Sequence, residues 1–288
     1  MNRMEADMLR SLRHKGVSLI TGVTIAAAAM LAITPTASAQ TSRLDEIAKR
    51  DKLIVATFGT APPFCYTDEG GKLIGFDIDV AKLIAKSLLG DENKIEFVTV
   101  TSEGRWPAVN SGRADIGLAS TTVYPDRALR VAFSRPYIDS SVSVLVRQDA
   151  KVTSLAELNN SKFTLANLSN PQMQDRQKKF LPNVKVVTFD TPSAMFTAVK
   201  TGQASAMQMD TPVVNWYAAN NKDLRVLPEK LAVVQGNAIF MKPGDFQLWL
   251  WMDTVVQEMT AGSRYTEYSE IYRKWFGTNP PPQRPYGN

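Results

Sequence analysis

Two rhythms of apolar and polar positions run along this chain. Short β-branched and apolar stretches bounded by turn residues, at 53–57, 95–100, 115–119, 142–147, 163–167, 184–189, 204–209, 224–227 and 238–242, predict strands. Between them the period lengthens to that of a helix: Val80, Leu83, Ile84 and Leu88 line one face of a segment that opens near Asp77. Helices also open near Thr191 and Asp210, each with a proline just inside its start, and two more cover 246–260 and 266–276. Strands alternating with helices predict an α/β architecture with mostly parallel strands. Asp77 and Asp79 fall in the first turn of their helix, where carboxylates satisfy free N–H groups, so the spacing predicts capping roles for both.

The N-terminal segment breaks both rhythms. Arg10, Arg13 and Lys15 precede an apolar run at 17–33, and Ala37-Ser38-Ala39 supplies the small residues of a cleavage site, which predicts a secretory signal peptide over 1–39, cut after Ala39. Ser18, Thr21 and Thr24 interrupt the run and disfavour a membrane anchor. The chain beyond Ala39 exceeds the size of one ordinary core, about 100–150 residues, and so predicts two domains. Of the 33 Lys/Arg and 28 Asp/Glu, residues 1–39 hold four and two, leaving a net charge of +3. That balance argues against nucleic acid or an anionic membrane surface as partner.

Candidate chemistry is narrowed by what the composition lacks. His14 is the only histidine and lies in the predicted leader, which excludes a histidine-dependent triad and histidine-bearing zinc sites downstream. Cys65 is the only cysteine, so no intramolecular disulfide can form. Flanked by Phe64 and Tyr66 and without a histidine base, it reads as a buried structural thiol rather than a nucleophile.

One pattern occurs twice. Ser111-Gly112-Arg113-Ala114 leads through an apolar strand to Ser120-Thr121-Thr122, and Thr201-Gly202-Gln203-Ala204 leads through another to Asp210-Thr211-Pro212. Both place polar residues at the carboxyl end of a strand, where open α/β sheets bind ligands. Two such loops facing each other would line one cleft, although turn chemistry alone explains either loop singly.

Gly75-Phe76-Asp77-Ile78-Asp79-Val80, followed by Ile84, Ala85 and Leu88, resembles the signature of the family 3 periplasmic solute-binding proteins, the polar amino-acid receptors of ABC importers. The likeness continues through Pro62-Pro63-Phe64, Phe133-Ser134-Arg135-Pro136-Tyr137 and Lys274-Trp275-Phe276-Gly277. It implies an α/β, two-lobed type 2 periplasmic-binding-protein fold, each lobe a central mostly parallel sheet flanked by helices, with 142–147 and 238–242 as the two crossing strands. Lobe 1 would comprise 40–145 plus 238–278, lobe 2 146–237, and 279–288 a disordered tail. The expected protein is a periplasmic monomer that captures an amino acid by hinge closure and docks on an importer permease in the inner membrane. No cofactor, metal or nucleic acid is expected.

The resemblance also implies site residues. Arg127 matches the side chain that takes the ligand α-carboxylate in a two-pronged contact, with Ser120, Thr122 and Asn170 beside it. Asp210 matches the acid that receives the α-ammonium. From the residues alone, Arg127 could equally pair with Asp126 on the surface, and Asp210 could cap a helix before Thr211-Pro212. Pro171 removes one main-chain donor from the helix start that Asn170 caps. Ser102 and Arg105 resemble the residues of aspartate/glutamate receptors that hold a distal carboxylate, a lean toward acidic ligands. Phe58 stands where relatives often carry Asp or Arg, and Ala61 where many carry an aromatic ring. The missing acid argues against a lysine- or arginine-selective site and the missing arginine weakens the case for glutamate; Phe58 fills the pocket or supplies an apolar wall, and a neutral polar or partly apolar ligand stays open. Two rival classes share the fold: an enzyme of the cyclohexadienyl dehydratase kind, for which Glu103 is the candidate acid/base, and a signalling receptor.

Overall fold

The computed structural model describes residues 41–281, so the expected signal peptide lies outside the described residues. The strands are β1 (Leu53–Thr57), β2 (Thr60–Ala61), β3 (Cys65–Thr67), β4 (Leu73–Ile74), β5 (Ile95–Thr99), β6 (Ile116–Gly117), β7 (Ala132–Arg147), β8 (Thr164–Leu168), β9 (Lys185–Phe189), β10 (Ala206–Asp210), β11 (Leu224–Val226) and β12 (Ala232–Met241). The helices are α1 (Arg43–Arg50), α2 (Phe76–Leu89), α3 (Arg105–Asn110), α4 (Pro125–Ala128), α5 (Leu155–Leu158), α6 (Pro171–Phe180), α7 (Pro192–Lys200), α8 (Thr211–Asn220), α9 (Phe246–Ala261) and α10 (Tyr265–Phe276).

The main sheet has the order β5-β1-β6-β12-β7-β10-β8-β9, with β11 on β7. At one end β5, β1 and β6 run parallel, and at the other β9, β8 and β10 do. Antiparallel β7 and β12 join them. This is the expected α/β arrangement: one continuous sheet with a parallel group of strands at each end, helices between the strands, and the antiparallel pair β7 and β12 joining the two groups.

The crossing strands are longer than the apolar runs that predict them. β7 spans 16 residues. Its start pairs with the end of β12, while its last part pairs with β10 on one edge and β11 on the other. The run at 142–147 therefore marks only the part of β7 that lies beside β10 and β11, and the run at 238–242 only the part of β12 that reaches β6. Between the two apolar stretches of β7 lies the polar segment Asp139-Ser140-Ser141, and there the apolar signal lapses. The hairpin strands β2 to β4 are two or three residues each, too short to show alternation.

Helix starts explain where the acidic side chains go. Thr191 and Asn170 cap α7 and α6, accepting from Ala194 N at 3.3 Å and Met173 N at 3.0 Å. Asp77 and Asp79 do not cap α2, contrary to the expectation from spacing. The free amides of Phe76 and Asp77 are already taken by the carbonyls of Pro63 at 2.9 Å and Phe64 at 2.8 Å. Asp77 is buried and accepts from Tyr137 OH at 2.7 Å and Ser120 N at 2.8 Å. Asp79 instead holds Lys274 Nζ at 2.6 Å and Trp275 Nε1 at 2.7 Å, tying α10 to α2. Cys65 is fully buried, and burial raises its thiol well above its ordinary range, as a structural thiol requires. Of the expected tail, Pro281 O accepts from Tyr265 OH at 3.0 Å, and residues from 282 lie outside the described residues.

Gly75 makes this approach to α2 possible. It adopts φ 140°, and a Cβ there would lie 2.1 Å from Phe64 O. Gly75→Ala is expected to cost about 3 kcal/mol of stability or more, combining backbone strain with a main-chain clash, measured by chemical denaturation.

Candidate functional site

The two polar loops meet. Ser120, just beyond β6, donates its Oγ proton to Asp210 Oδ2, at the end of β10, at 2.7 Å. Asp210 occupies the N-cap position of α8 but makes no capping bond. Its carboxylate accepts also from Asn237 Nδ2 of crossing strand β12 at 3.0 Å. The capping role open to Asp210 from the sequence is not taken: its carboxylate turns across to Ser120 and Asn237, not back along its own helix.

Phe58, Arg105, Ser120, Thr122, Arg127, Asn170 and Asp210 line a single cavity of about 30 Å³. Ser102 lies one contact behind it, its Oγ accepting from Asn170 Nδ2 at 3.4 Å. Arg127 belongs to α4, a helix of four residues that begins at Pro125. It is buried, donates from Nη1 to Thr122 O at 2.8 Å, and shares Gln172 Oε1 between Nη2 at 3.0 Å and Nε at 3.2 Å. Asp126 faces Gln172 Nε2 instead of forming a salt bridge with Arg127. Burial lowers the Arg127 guanidinium to about 10, still charged at neutral pH.

Arg105 is buried against the rings of Trp106 and Phe58, its guanidinium carbon 4.3 Å and 5.4 Å from their centroids. Its Nη1 donates to Thr121 Oγ1 at 2.9 Å and Ala119 O at 3.3 Å, while Nε is buried with no partner. Burial, and next the charge of Arg127, push its pKa well down. Among the described residues it forms no salt bridge. Such a group supplies an unmet positive charge at the wall of the cleft.

Several contributors were not read from the sequence. Tyr124 and Arg176 line the same cavity, and Arg176 Nη2 donates to Tyr124 OH at 2.6 Å, across the lobes. Gln172 and Arg176 stand four residues apart on α6, one helical face, which was the available signal. Asn237 gave none: it sits mid-strand, and only the crossing places it beside Asp210. Glu103, the candidate acid/base, is half-exposed, pairs with Arg130 Nη1 at 3.1 Å, and is not among the residues lining the cavity.

Comparison with known proteins gives a consistent picture. Residues 53–278 match the profile of the bacterial extracellular solute-binding proteins, family 3. The glutamine-binding protein of Geobacillus stearothermophilus is 38% identical over 67% of this chain and 73% of its own length. The ABC transporter glutamine-binding protein of Bacillus subtilis (strain 168) is 33% identical over 73% of this chain and 75% of its own. Among solved structures, the ancestral amino acid-binding protein AncCDT-1, a precursor of cyclohexadienyl dehydratase, superposes with a TM-score of 0.74 at 34% identity, covering 82% of this chain and all of that one.

Because Arg105 is buried without an acidic partner, Arg105→Met is expected to raise stability by about 1–2 kcal/mol while leaving the fold intact. Urea denaturation of the two proteins, with circular dichroism as the check on fold, measures the gain.

Proposed function

We propose that this chain, which belongs to the bacterial extracellular solute-binding proteins, family 3, is the substrate-binding component of an ABC importer and holds a polar amino acid between its lobes. One observation carries the reading: Arg127 on the first lobe and Asp210 on the second face the same cavity. A zwitterion leaving water must have both of its charges paired. The α-carboxylate takes the place of Gln172 Oε1 on the Arg127 fork, where two N–H groups already point in parallel, with Ser120, Thr122 and Asn170 around it. The α-ammonium goes to Asp210, replacing Ser120 Oγ and Asn237 Nδ2.

The cavity, about 30 Å³, is roughly a tenth of the smallest ordinary ligand pocket, so an amino acid enters only when the lobes part. The pairs Arg127–Gln172 and Tyr124–Arg176 bridge the lobes and belong to the closed form. A ligand with groups for both lobes selects that form, and the closed form docks on the permease. The mature protein acts as a monomer outside the cytoplasm, released by cleavage after Ala39. Among the described residues no helix is long and apolar enough to cross a membrane.

The cavity wall carries Arg105, Arg127 and Arg176 against Asp210 alone. With the α-groups matched, the remaining positive charge favours a side chain ending in oxygen, held by Arg105 and Ser102 beside the Phe58 wall. Glutamate and aspartate bring one negative charge to Arg105. Glutamine is the second reading, favoured by the names of the 38% and 33% identical relatives, and its amide carbonyl accepts from Arg105 without adding charge. An enzyme role is disfavoured because Glu103 is engaged on the surface, and incubation with prephenate or arogenate is expected to give no turnover.

A thermal-shift screen of the mature protein against the common amino acids reads specificity directly, since a ligand of the native state raises the melting temperature. Glutamate, aspartate or glutamine should lead; arginine or lysine in front overturns the side-chain assignment. Asp210→Ala is expected to weaken binding by about 2 kcal/mol or more, roughly thirtyfold, in calorimetry. Solution scattering should show contraction on ligand addition, and identical profiles would refute closure.

A further inference from the structure

We infer that Asp77 is a positioning residue for the ligand site: its buried carboxylate holds the Ser120 backbone in the turn that aims the Ser120 hydroxyl across the cleft, and ties that turn to crossing strand β7 through Tyr137. The inference rests on the amino-acid-binding function, and deepens it.

The geometry begins with strain. Ser120 has φ 46°, in the left-handed region that a serine seldom occupies. What holds it there is its own amide, which donates to Asp77 Oδ2 at 2.8 Å. With that amide held, Ser120 Oγ reaches Asp210 Oδ2 at 2.7 Å. The other oxygen of Asp77 accepts from Tyr137 OH at 2.7 Å, and the Tyr137 carbonyl in turn accepts from Tyr268 OH at 2.6 Å. One carboxylate thereby joins α2, the ligand loop and the crossing strand. A charged acceptor makes each of these bonds about twice as strong as a neutral one would.

The charge has no other use at this position. Among the described residues, the titratable groups facing Asp77 are the Cys65 thiol from β3, 3.9 Å away, Tyr137 from β7 and Asp210 from β10, and none is cationic. Burial raises the Asp77 carboxyl to about 6, with the bonds from Tyr137 and Ser120 countering part of that rise. An acid whose folded-state pKa is raised favours folding while protonated. That contribution is full below the ordinary value of 3.8 and is lost as pH rises through about 6, so above that pH the ionised group costs stability. A residue kept for stability alone would not be an unpaired buried acid. The cost is explained if the carboxylate is there to hold Ser120.

The test is Asp77→Asn, which preserves shape and removes the charge. Calorimetric affinity for the amino acid that ranks first in the thermal-shift screen is measured from about pH 5 to 8, spanning the raised pKa. Wild type should bind about fivefold more weakly below pH 6 than above it. The variant should bind at the weaker level at every pH, while melting no lower than wild type at neutral pH. Unchanged affinity and profile in the variant overturn the inference, and so does weakening that only tracks a fall in melting temperature. A second readout needs no ligand: the Ser120 amide resonance should titrate with a midpoint near 6 in wild type and be flat in Asp77→Asn. A flat wild-type amide also overturns the inference. If no amino acid binds wild type, the binding function fails, and the amide titration still decides the role of Asp77.

Discussion

Burial of charge without an ionic partner sets the terms for this molecule. Arg105, Arg127, Asp210 and Asp77 all lie out of water, and among the described residues none of them forms a salt bridge. Each is held by neutral donors, acceptors or ring faces: Gln172 and Thr122 for Arg127, Ser120 and Asn237 for Asp210, Trp106 and Thr121 for Arg105. Neutral partners stabilise a buried charge only in part. The remainder is available to whatever brings the opposite charge, and the opposed placement of Arg127 and Asp210 suits a molecule carrying both signs.

The fold supplies that opposition through two strands. Because β7 and β12 pass from one parallel group of strands to the other, the carboxyl ends of β6 and β10 face each other across the crossing, and Asn237 of β12 stands between Ser120 and Asp210. Each lobe keeps its own parallel strands and helices, so motion between the lobes need only bend the crossing strands and exchange surface contacts. The polar contacts across the cleft, Ser120 to Asp210, Arg127 to Gln172 and Arg176 to Tyr124, are the ones such motion would break.

The apolar runs predicted most of the sheet because a buried strand must be apolar wherever it stands in the chain. β1, β5, β8 and β9 begin and end within a residue or two of their runs. The hairpin β2 to β4 and the short α4 left no such trace, since two to four residues carry too little pattern. Prolines at helix starts were legible for the same local reason: each is tolerated where an amide would be unpaired.

The sequence by itself determined the α/β alternation, the lack of histidine chemistry beyond His14, and a set of polar residues at strand ends. These depend on composition and short-range periodicity, which the chain carries locally. Only the tertiary structure decided that Asp210 turns away from its own helix, that Asp77 reaches Ser120 and Tyr137 instead of capping α2, and that Gln172, Arg176 and Asn237 join the cleft. Each of those outcomes turns on contacts between residues remote in sequence. A carboxylate at a helix start has the same local surroundings whether it caps or reaches across, and the choice falls to whichever donors the packing brings within 3 Å.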